Sequence, residues 1–224
     1  MTRRLILLLA ASTVCLPVAA QAGKNAAARI LVGTAPYSEA AGSCTALVAA
    51  GNGCDGAGAT ADAAWADVLV PVYAYQRSAD DPYPGQPGAP GLHMTGIDFG
   101  VDYDATKLTV NWTMCGGLEI GTDGTWHALW PLPGSGDSVI WPTVQRGEQV
   151  LVGYFRVEVH APAILRIVGH PEPTWGLGLL DDEYYLDPIN LAGEAGLGGA
   201  LGMNPCAVAV RNATWGSIKS LYGH

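Results

Sequence analysis

Four cysteines offer the most specific covalent chemistry beyond the first 22 residues, and they are Cys44, Cys54, Cys115 and Cys206. In an exported chain, an even number of cysteines predicts two disulfides, for which three connectivities exist. Cys44 and Cys54 lie ten positions apart in a stretch rich in glycine and alanine, so we expect them to close a local loop. Cys115 and Cys206 would then link the middle of the chain to its end. A zinc site would need a Cys-x-x-Cys pair or a histidine at ligand spacing, and the sequence has neither.

The densest group of acidic residues is Asp181, Asp182 and Glu183, with Asp187 close behind. Calcium takes oxygen ligands, so these four residues are the calcium candidates of the sequence. The alternating Asp-x-Asp-x-Asp-Gly order of a dedicated calcium loop is missing, and a solvated acidic loop is the competing interpretation. We therefore expect no cofactor, with structural calcium at this loop as the alternative.

The tryptophans, seven in all, raise the question of carbohydrate binding, because the apolar side of a sugar ring stacks on an indole. Tryptophan is also ordinary in the core of a β-sandwich, so at least half of them should be buried. The candidates for stacking on a sugar are Trp126, Trp130, Trp141 and Trp175.

Catalytic patterns are mostly missing. The sequence contains no Gly-x-Ser-x-Gly elbow, no His-Glu-x-x-His motif and no Gly-Lys-Ser/Thr phosphate loop. His160 and His170 flank a predicted hairpin, but two histidines make a poor metal site. Glycoside hydrolysis needs two carboxylates about 5–10 Å apart, which one sequence cannot pair in space. The glutamates available for such a pair are Glu119, Glu148, Glu158, Glu172 and Glu183. We predict no catalytic residue.

The first 22 residues have the three parts of a secretory signal peptide. A basic start at Arg3 and Arg4 precedes an apolar stretch from Leu5 to Leu16. Ala20-Gln21-Ala22 then offers the small residues that signal peptidase requires, with cleavage before Gly23. The apolar stretch is shorter than the roughly 18–20 residues that a membrane anchor needs. We expect a secreted, periplasmic or cell-surface protein without membrane insertion after cleavage.

Acidic residues outnumber basic residues, and the formal net charge is −9. An acidic surface repels the phosphate backbone, so we expect no nucleic-acid partner. The same charge keeps a chain with few charged residues soluble.

Short strands separated by turns rich in glycine and proline dominate the chain beyond residue 65. Residues 68–75 are rich in β-branched and aromatic side chains, which favours a strand. Pro71 within it cannot donate a ladder hydrogen bond and predicts an edge or a bulge. Strict alternation over residues 97–103 indicates a second strand with one buried face.

The longest predicted strand runs from Val150 to His160. Alternation of period two assigns its side chains to an inner and an outer face. The inner residues are Leu151, Phe155, Val157 and Val159, and the outer residues are Arg156, Glu158 and His160. By the same reasoning Asp98, Asp102 and Glu158 should be solvated on sheet surfaces and have ordinary pKa values.

Many short strands without a long helical pattern predict an all-β fold, either a sandwich or a barrel, with long Gly/Pro-rich loops. The predicted organisation is a signal peptide over residues 1–22, a flexible N-terminal tail over 23–29, a β-sandwich domain over 30–210 and a C-terminal tail over 211–224.

The order of several strand motifs resembles the cohesin-type β-sandwich modules of extracellular bacterial proteins. The resemblance covers about residues 65–168, and the segment from Asn204 resembles the tails of uncharacterised secreted proteins of environmental bacteria. The chain departs from the cohesin pattern at the Cys44–Cys54 insertion, in its four cysteines and in the connection from Trp126 to Trp141. The motifs are Ile30-Leu31-Val32-Gly33, Val68-Leu69-Val70-Pro71-Val72, Gly96-Ile97-Asp98-Phe99, Tyr103-Asp104 before Leu108 and Val110, and Leu151 to Val159.

The resemblance implies a single antiparallel β-sandwich, a cohesin-like jelly roll, in an extracellular setting, and it favours binding over catalysis. Cohesins grip their partners through a sheet face rather than a short motif, so no binding residue transfers. The leading hypothesis is a non-catalytic protein-binding or structural module of an extracellular or cell-surface assembly, with an extracellular protein or polysaccharide as partner. The alternative is a carbohydrate-binding module using exposed tryptophan and tyrosine, and a secreted glycoside hydrolase ranks third.

Overall fold

The computed structural model of the chain describes residues 23–50, 54, 58–81, 85, 88, 90–120 and 129–206. The predicted signal peptide and the predicted C-terminal tail lie outside these residues. No helix of the described part is long and apolar enough to cross a membrane.

Strands provide almost all of the regular structure. Helix α1 covers Cys44–Ala50, and one 3-10 turn covers Ser78–Asp80. The strands are β1 (Arg29–Val32), β2 (Ala35–Pro36), β3 (Asp67–Tyr75), β4 (Leu92–Asp102), β5 (Leu108–Met114), β6 (Leu118–Glu119), β7 (Ser135–Gly147), β8 (Gln149–Val159), β9 (Ala163–Val168), β10 (Gly178–Asp181), β11 (Leu186–Pro188) and β12 (Glu194–Leu197).

These strands form two antiparallel sheets. Sheet 1 has the order β1-β3-β8-β5, with β2 beside β3. Sheet 2 has the order β11-β10-β4-β7-β6, and β9 pairs with both β4 and β12. The inner surfaces of the two sheets contribute to one apolar core, in which the side chains of β3 and β8 meet those of β4. The predicted antiparallel β-sandwich is therefore confirmed.

Four aromatic residues occupy the middle of this core. Phe99 of β4 and Phe155 of β8 are fully buried. Trp112 of β5 lies between them, with its ring centroid 5.5 Å from that of Phe99 and 4.6 Å from that of Phe155. Trp130 is the fourth member, and its ring centroid lies 5.3 Å from that of Phe99. Aromatic pairs at such spacing contribute about 0.5–1.5 kcal/mol beyond their burial, so this group ties the two sheets together.

A bulge in β8 reverses the orientation predicted for Leu151. Phe155 faces the core as predicted, but the register against β3 shifts between Val72 and Tyr73, which leaves Val152 as the extra residue. Because a bulge breaks the alternation of side chains, Leu151 joins a second apolar cluster on the outer surface of sheet 1. The inward orientation predicted for Leu151 was wrong for this reason.

Pro71 lies in an interior strand, yet at a position where its missing N–H is tolerated. β1 pairs with β3 from Val72 onward, whereas β2 pairs with Val68 and Leu69. Pro71 therefore sits at the interruption between two short edge strands, where its carbonyl accepts a hydrogen bond from the Gly33 N–H at 3.0 Å. The β8 bulge follows at the next pair of residues.

The chain itself covers the apolar part of the outer surface of sheet 1, which β1, β3 and the first half of β8 form. The segment from Tyr37 through helix α1 packs there, and Leu47 of α1 is buried against the sheet. Two tyrosine hydroxyls hold the segment by donating hydrogen bonds: Tyr73 to the Leu47 carbonyl at 2.9 Å and Tyr154 to the Gly42 carbonyl at 2.8 Å. This segment, including Cys54, is called the cover segment below.

Both disulfides anchor the cover segment, and their connectivity differs from the expected one. Cys44 pairs with Cys115 and Cys54 pairs with Cys206, with Cα–Cα distances of 5.4 and 5.5 Å. The expected local loop does not form, and helix α1, which begins at Cys44, extends the chain by about 10 Å over its seven residues. In the chain-entropy model each long-range link stabilises the fold by about 4–5 kcal/mol.

Residues 23–29, predicted as a flexible tail, are packed against the sandwich instead. Asn25 is fully buried and Ala28 nearly so. The Asn25 side chain accepts a hydrogen bond from the His93 N–H at 2.8 Å and donates to the His93 carbonyl at 3.2 Å. These contacts span 68 residues of sequence, so the local composition that indicated a tail could not reveal them.

The disulfide connectivity is directly testable. Peptide mapping of the unreduced protein by mass spectrometry should yield one linked peptide pair containing Cys44 and Cys115 and another containing Cys54 and Cys206. Peptides joining Cys44 to Cys54 would contradict the anchoring of the cover segment, and the reduced, alkylated protein is the control.

The central aromatic group predicts a large effect at Phe155. Phe155→Ala should lower the free energy of unfolding by about 3–5 kcal/mol, because it leaves a cavity where both sheets meet. Glu158→Ala is the matched control, since Glu158 is exposed on the same strand and its loss should change stability by less than about 0.5 kcal/mol. Urea denaturation of both variants measures the difference, and equal values would contradict the assigned strand faces.

Candidate functional surface

The outer surface of sheet 2 carries an aliphatic patch that the described residues leave open. At its centre Gly96 has no side chain, and a Cβ there would lie 2.8 Å from Leu180 and 3.1 Å from Ile140. The side chains of β10 and β7 therefore meet across the backbone of β4. Leu118 pairs with Ile140 from the edge strand β6 and is 63% exposed. The aliphatic patch consists of Leu118, Ile120, Ile140, Leu180 and Leu186.

Asp98 adjoins this patch on the same surface of β4. Its cross-strand neighbours are Ser138 of β7 and Gly178 of β10. The Ser138 hydroxyl donates a 2.5 Å hydrogen bond to the carboxylate, and Asp98 is only 8% exposed. Burial raises the pKa of Asp98, and the hydrogen bond from Ser138 offsets part of that rise. The outward orientation predicted for Asp98 is correct, but the prediction of a solvated group with an ordinary pKa was wrong.

A strained turn with two exposed tyrosines connects β10 to β11. Tyr184 and Tyr185 are 76% and 68% exposed, and Tyr184 has a φ of 63°. A positive φ costs an aromatic residue roughly 1–3 kcal/mol unless its surroundings enforce it. Here the Asp181 carboxylate accepts hydrogen bonds from the N–H groups of Glu183 and Tyr185 at 2.8 and 2.9 Å. Residues 181–186 are called the tyrosine hairpin below.

Two cations fix the base of the tyrosine hairpin to the rest of the fold. Lys24 donates to Asp182 at 2.6 Å and to Glu183 at 2.8 Å. Arg146 of β7 donates to Asp182 at 2.9 Å. The hydrogen bonds from Lys24 to Asp182 and Glu183 raise the pKa of Lys24. Burial opposes ionisation of Asp182, but the pairing with Lys24 and Arg146 holds its pKa below the usual value.

A buried histidine extends this polar network into β4. Arg146 donates a 2.6 Å hydrogen bond to Nδ1 of His93, and Nε2 of His93 lies 3.1 Å from the Asp81 carboxylate. Because an arginine can only donate, Nδ1 must accept, and Nε2 carries the proton that is donated to Asp81. Asp81, His93, Arg146 and Asp182 thus form one chain of hydrogen bonds beside the aliphatic patch.

The four calcium candidates accept hydrogen bonds from protein donors. Asp181 binds backbone N–H groups, Asp182 and Glu183 bind Lys24, and Asp187 accepts from the N–H of Asn25 at 2.8 Å and from its side-chain amide at 3.1 Å. Over the described residues, no group of three histidine, cysteine, aspartate or glutamate side chains is arranged to hold a metal ion.

The tryptophan candidates do not form an open row in the described structure. Trp141 is buried in the core, and Trp130 packs edge-on against Phe99. Trp175 lies 4.8 Å from the ring of His170, and Trp126 lies outside the described residues. Trp141 therefore cannot stack on a sugar, since alternation along β7 turns it inward beside Val139.

One cleft does combine aromatic and polar side chains, at the edge between β5 and β6. It encloses about 280 Å³ and is lined by Asn111, Trp112, Glu119, Trp130 and Pro131. The Trp112 indole donates to Glu119 at 2.9 Å. The rings of Trp112 and Trp130 are inclined at 78°, so they offer no common flat platform for a sugar.

The predicted hairpin between His160 and His170 does not form. β8 belongs to sheet 1 and β9 to sheet 2, so the chain crosses between sheets after Val159. His160 contacts Thr109 at 2.9 Å, whereas buried His170 lies over Gly136 on sheet 2. β9 lies between the two histidines in the chain, and its six residues span about 20 Å.

The glutamates considered for hydrolysis are dispersed over separate elements. Glu119 binds the Trp112 indole, Glu148 accepts the Ser78 N–H at 2.7 Å, and Glu183 pairs with Lys24. The hydrogen bonds from Ser78 lower the pKa of Glu148. Glu158 is exposed on sheet 1, and Glu172 bonds to Thr174 in the loop after β9.

No family model and no curated protein sequence matches the chain. Among solved structures, a chain from the complex of a CaDoc0917 variant with CaCohA2 at pH 5.5 is 15% identical, with a TM-score of 0.41, covering 78% of this chain and 99% of that chain. The seventh ScaB type I cohesin from Pseudobacteroides cellulosolvens is 13% identical, with a TM-score of 0.37, covering 76% of this chain and 90% of its own. The chain is thus similar to cohesin modules at low identity.

Asp98 gives this surface a testable pH dependence. Because its folded-state pKa is raised above the ordinary value of an aspartate, folding binds a proton, and stability falls as pH rises through the raised pKa. Asp98→Asn keeps an acceptor for Ser138 and removes this loss. The Tm of Asp98→Asn minus that of the wild type should therefore become more positive between pH 3.5 and pH 7.

The matched control for that measurement is Asp102→Asn, an exposed position on the same strand. Its Tm should follow the wild type, since surface substitutions change stability by less than about 0.5 kcal/mol. A Tm difference between Asp98→Asn and wild type that is constant with pH would contradict the burial assigned to Asp98.

Proposed function

We propose that the protein is a secreted, non-catalytic module that binds another protein of an extracellular or cell-surface assembly through the outer surface of sheet 2. The observation that carries this proposal is the contrast between the two outer surfaces. The cover segment buries the apolar part of the outer surface of sheet 1 and leaves polar side chains such as Glu158 exposed there, whereas the outer surface of sheet 2 presents five aliphatic side chains.

The composition of the open surface fits a protein interface. Protein interfaces combine an apolar centre with a polar rim and are enriched in tyrosine. Here the aliphatic patch is the centre, and the tyrosine hairpin lies at the edge formed by β10 and β11. The two cations at the base of that hairpin hold it in place without covering either ring.

The chemistry of the surface favours one kind of partner. Asp98 is a buried carboxylate that accepts one hydrogen bond from Ser138, so it has capacity for a second donor. A partner with aliphatic side chains around one cationic or donor group would cover the patch and pair with Asp98. The net charge of −9 also favours encounter with a basic surface.

Secretion belongs to the same proposal. Two disulfides are consistent with an oxidising compartment, since cytosolic reductants keep thiols reduced. The signal-peptide pattern before Gly23 supports export on independent grounds.

Binding through the patch is tested with two matched leucine variants. Leu118→Lys places a charge in the patch at a highly exposed position. Leu201→Lys introduces the same charge outside the patch, at an 81% exposed position beyond β12. Once crosslinking in native culture fluid identifies a partner, Leu118→Lys should weaken its Kd at least about tenfold. Leu201→Lys should leave it unchanged.

Hydrogen exchange of the complex provides the second measurement. Amides of β6, β7 and β10 should gain protection when the partner binds, whereas those of the cover segment should not. Equal weakening by both leucine variants, or protection confined to sheet 1, would contradict the proposal.

Carbohydrate binding is the second candidate, favoured by the cleft of Trp112, Trp130 and Glu119. A glycan array of the mature protein tests it, with Asn111→Ala as the cleft variant. Sugar binding that is lost in Asn111→Ala and kept in Leu118→Lys would assign the function to the cleft. Turnover of a polysaccharide that one Glu→Gln change abolishes would assign hydrolysis instead.

A further inference from the structure

Gly23, the residue that follows the predicted cleavage site, lies directly against the carboxylate of Asp187. A Cβ at Gly23 would overlap Oδ1 of Asp187. From standard bond lengths, the backbone nitrogen of Gly23 must lie within about 4 Å of that oxygen. Both hydrogen bonds from Asn25 reach Oδ2, so Oδ1 is the atom that faces Gly23.

Asp187 lies in an environment that calls for a positive charge. It is only 4% exposed, and Asp181 close by is 3% exposed. Burial and the neighbouring charge of Asp181 raise the pKa of Asp187, against the hydrogen bonds from Asn25. Over the described residues, no salt bridge reaches either carboxylate, because Lys24 binds Asp182 and Glu183 instead. A buried carboxylate is costly unless a cation or several donors compensate it.

The chain after Gly23 is held so that its position is defined. The Ala26 N–H donates to the Gly23 carbonyl at 3.1 Å, which closes a turn. The side chain of Gln76 donates to the Lys24 carbonyl at 3.0 Å. With Asn25 fully buried, these contacts leave Gly23 little freedom to move away from Asp187.

We propose that the α-ammonium group of Gly23, released by cleavage after Ala22, binds the Asp187 carboxylate and completes the support of the tyrosine hairpin. Hydrolysis of this peptide bond by a signal peptidase consumes one water and yields a carboxylate on Ala22 and an ammonium on Gly23. Before cleavage the Gly23 nitrogen is a neutral amide with one N–H. Afterwards it carries a positive charge and three donors.

Processing thereby acts on the proposed binding surface. Asp187 belongs to β11, which pairs with β10 on the other side of the tyrosine hairpin. A cation on Asp187 stabilises the strand pair from which Tyr184 and Tyr185 project. This inference rests on the proposed export and on cleavage before Gly23, and it does not depend on the identity of the partner.

A double-mutant cycle tests the ion pair. The exported protein is first checked by intact mass for an N-terminus at Gly23, and a different N-terminus would overturn the proposal. Two forms, one starting at Gly23 and one retaining Gln21-Ala22, are then compared with and without Asp187→Asn. The retained dipeptide should lower Tm by about 2–8 °C. Asp187→Asn should abolish this difference, whereas the exposed control Asp102→Asn should leave it intact.

A second readout needs no variant and covers the case in which Asp187→Asn fails to fold. The α-ammonium of Gly23, followed by nitrogen NMR in the mature wild-type protein, should titrate well above the ordinary pKa of about 7.7. An ordinary pKa together with equal Tm values for the two forms would overturn the proposal. Leu118→Lys should retain the raised ammonium pKa, so a failure of partner binding is distinguishable from a failure of the ion pair.

Discussion

A two-sheet sandwich has two inner surfaces that share one core and two outer surfaces that must each be solvated, covered or used. In this protein the outer surface of sheet 1 is too apolar to remain exposed, because β3 and the bulged β8 turn Leu69, Tyr73 and Leu151 outward. The cover segment packs on these side chains and shields them from water. Both disulfides are placed to hold this segment, so the cysteines serve the covering of one sheet rather than the joining of the two.

The outer surface of sheet 2 is built differently. Glycines at positions 96, 136 and 178 leave space on the outer surface of sheet 2, and side chains from other parts of the chain occupy it. His170 covers one such position, while Leu180 and Ile140 cover another and remain partly exposed. Asp98 among them has a raised pKa, and the tyrosine hairpin holds a backbone angle that is unfavourable for an aromatic residue. Both features lower the free energy of unfolding.

The sequence predicted what depends on local pattern. Alternation over 97–103 and 153–159 identified β4 and the inward face of Phe155, and the strand motifs predicted a β-sandwich that the two sheets confirm. Alternation failed at Leu151 because one extra residue in a strand leaves no mark in composition. It also failed to predict the burial of Asp98, since burial on an outer surface is set by neighbouring strands that no local window contains.

The remaining misses share one cause, which is pairing over long sequence distances. Cys54 pairs with Cys206 across 152 residues, and Lys24 reaches Asp182 across 158. Residues 23–28 are mostly small or polar, and a single sequence cannot distinguish such a segment from a solvated tail. Only the meeting of both chain regions at β11 shows why glycine stands at position 23 and asparagine at position 25. Gly23 must lie flat against Asp187, and Asn25 must donate to Asp187 while also binding β4.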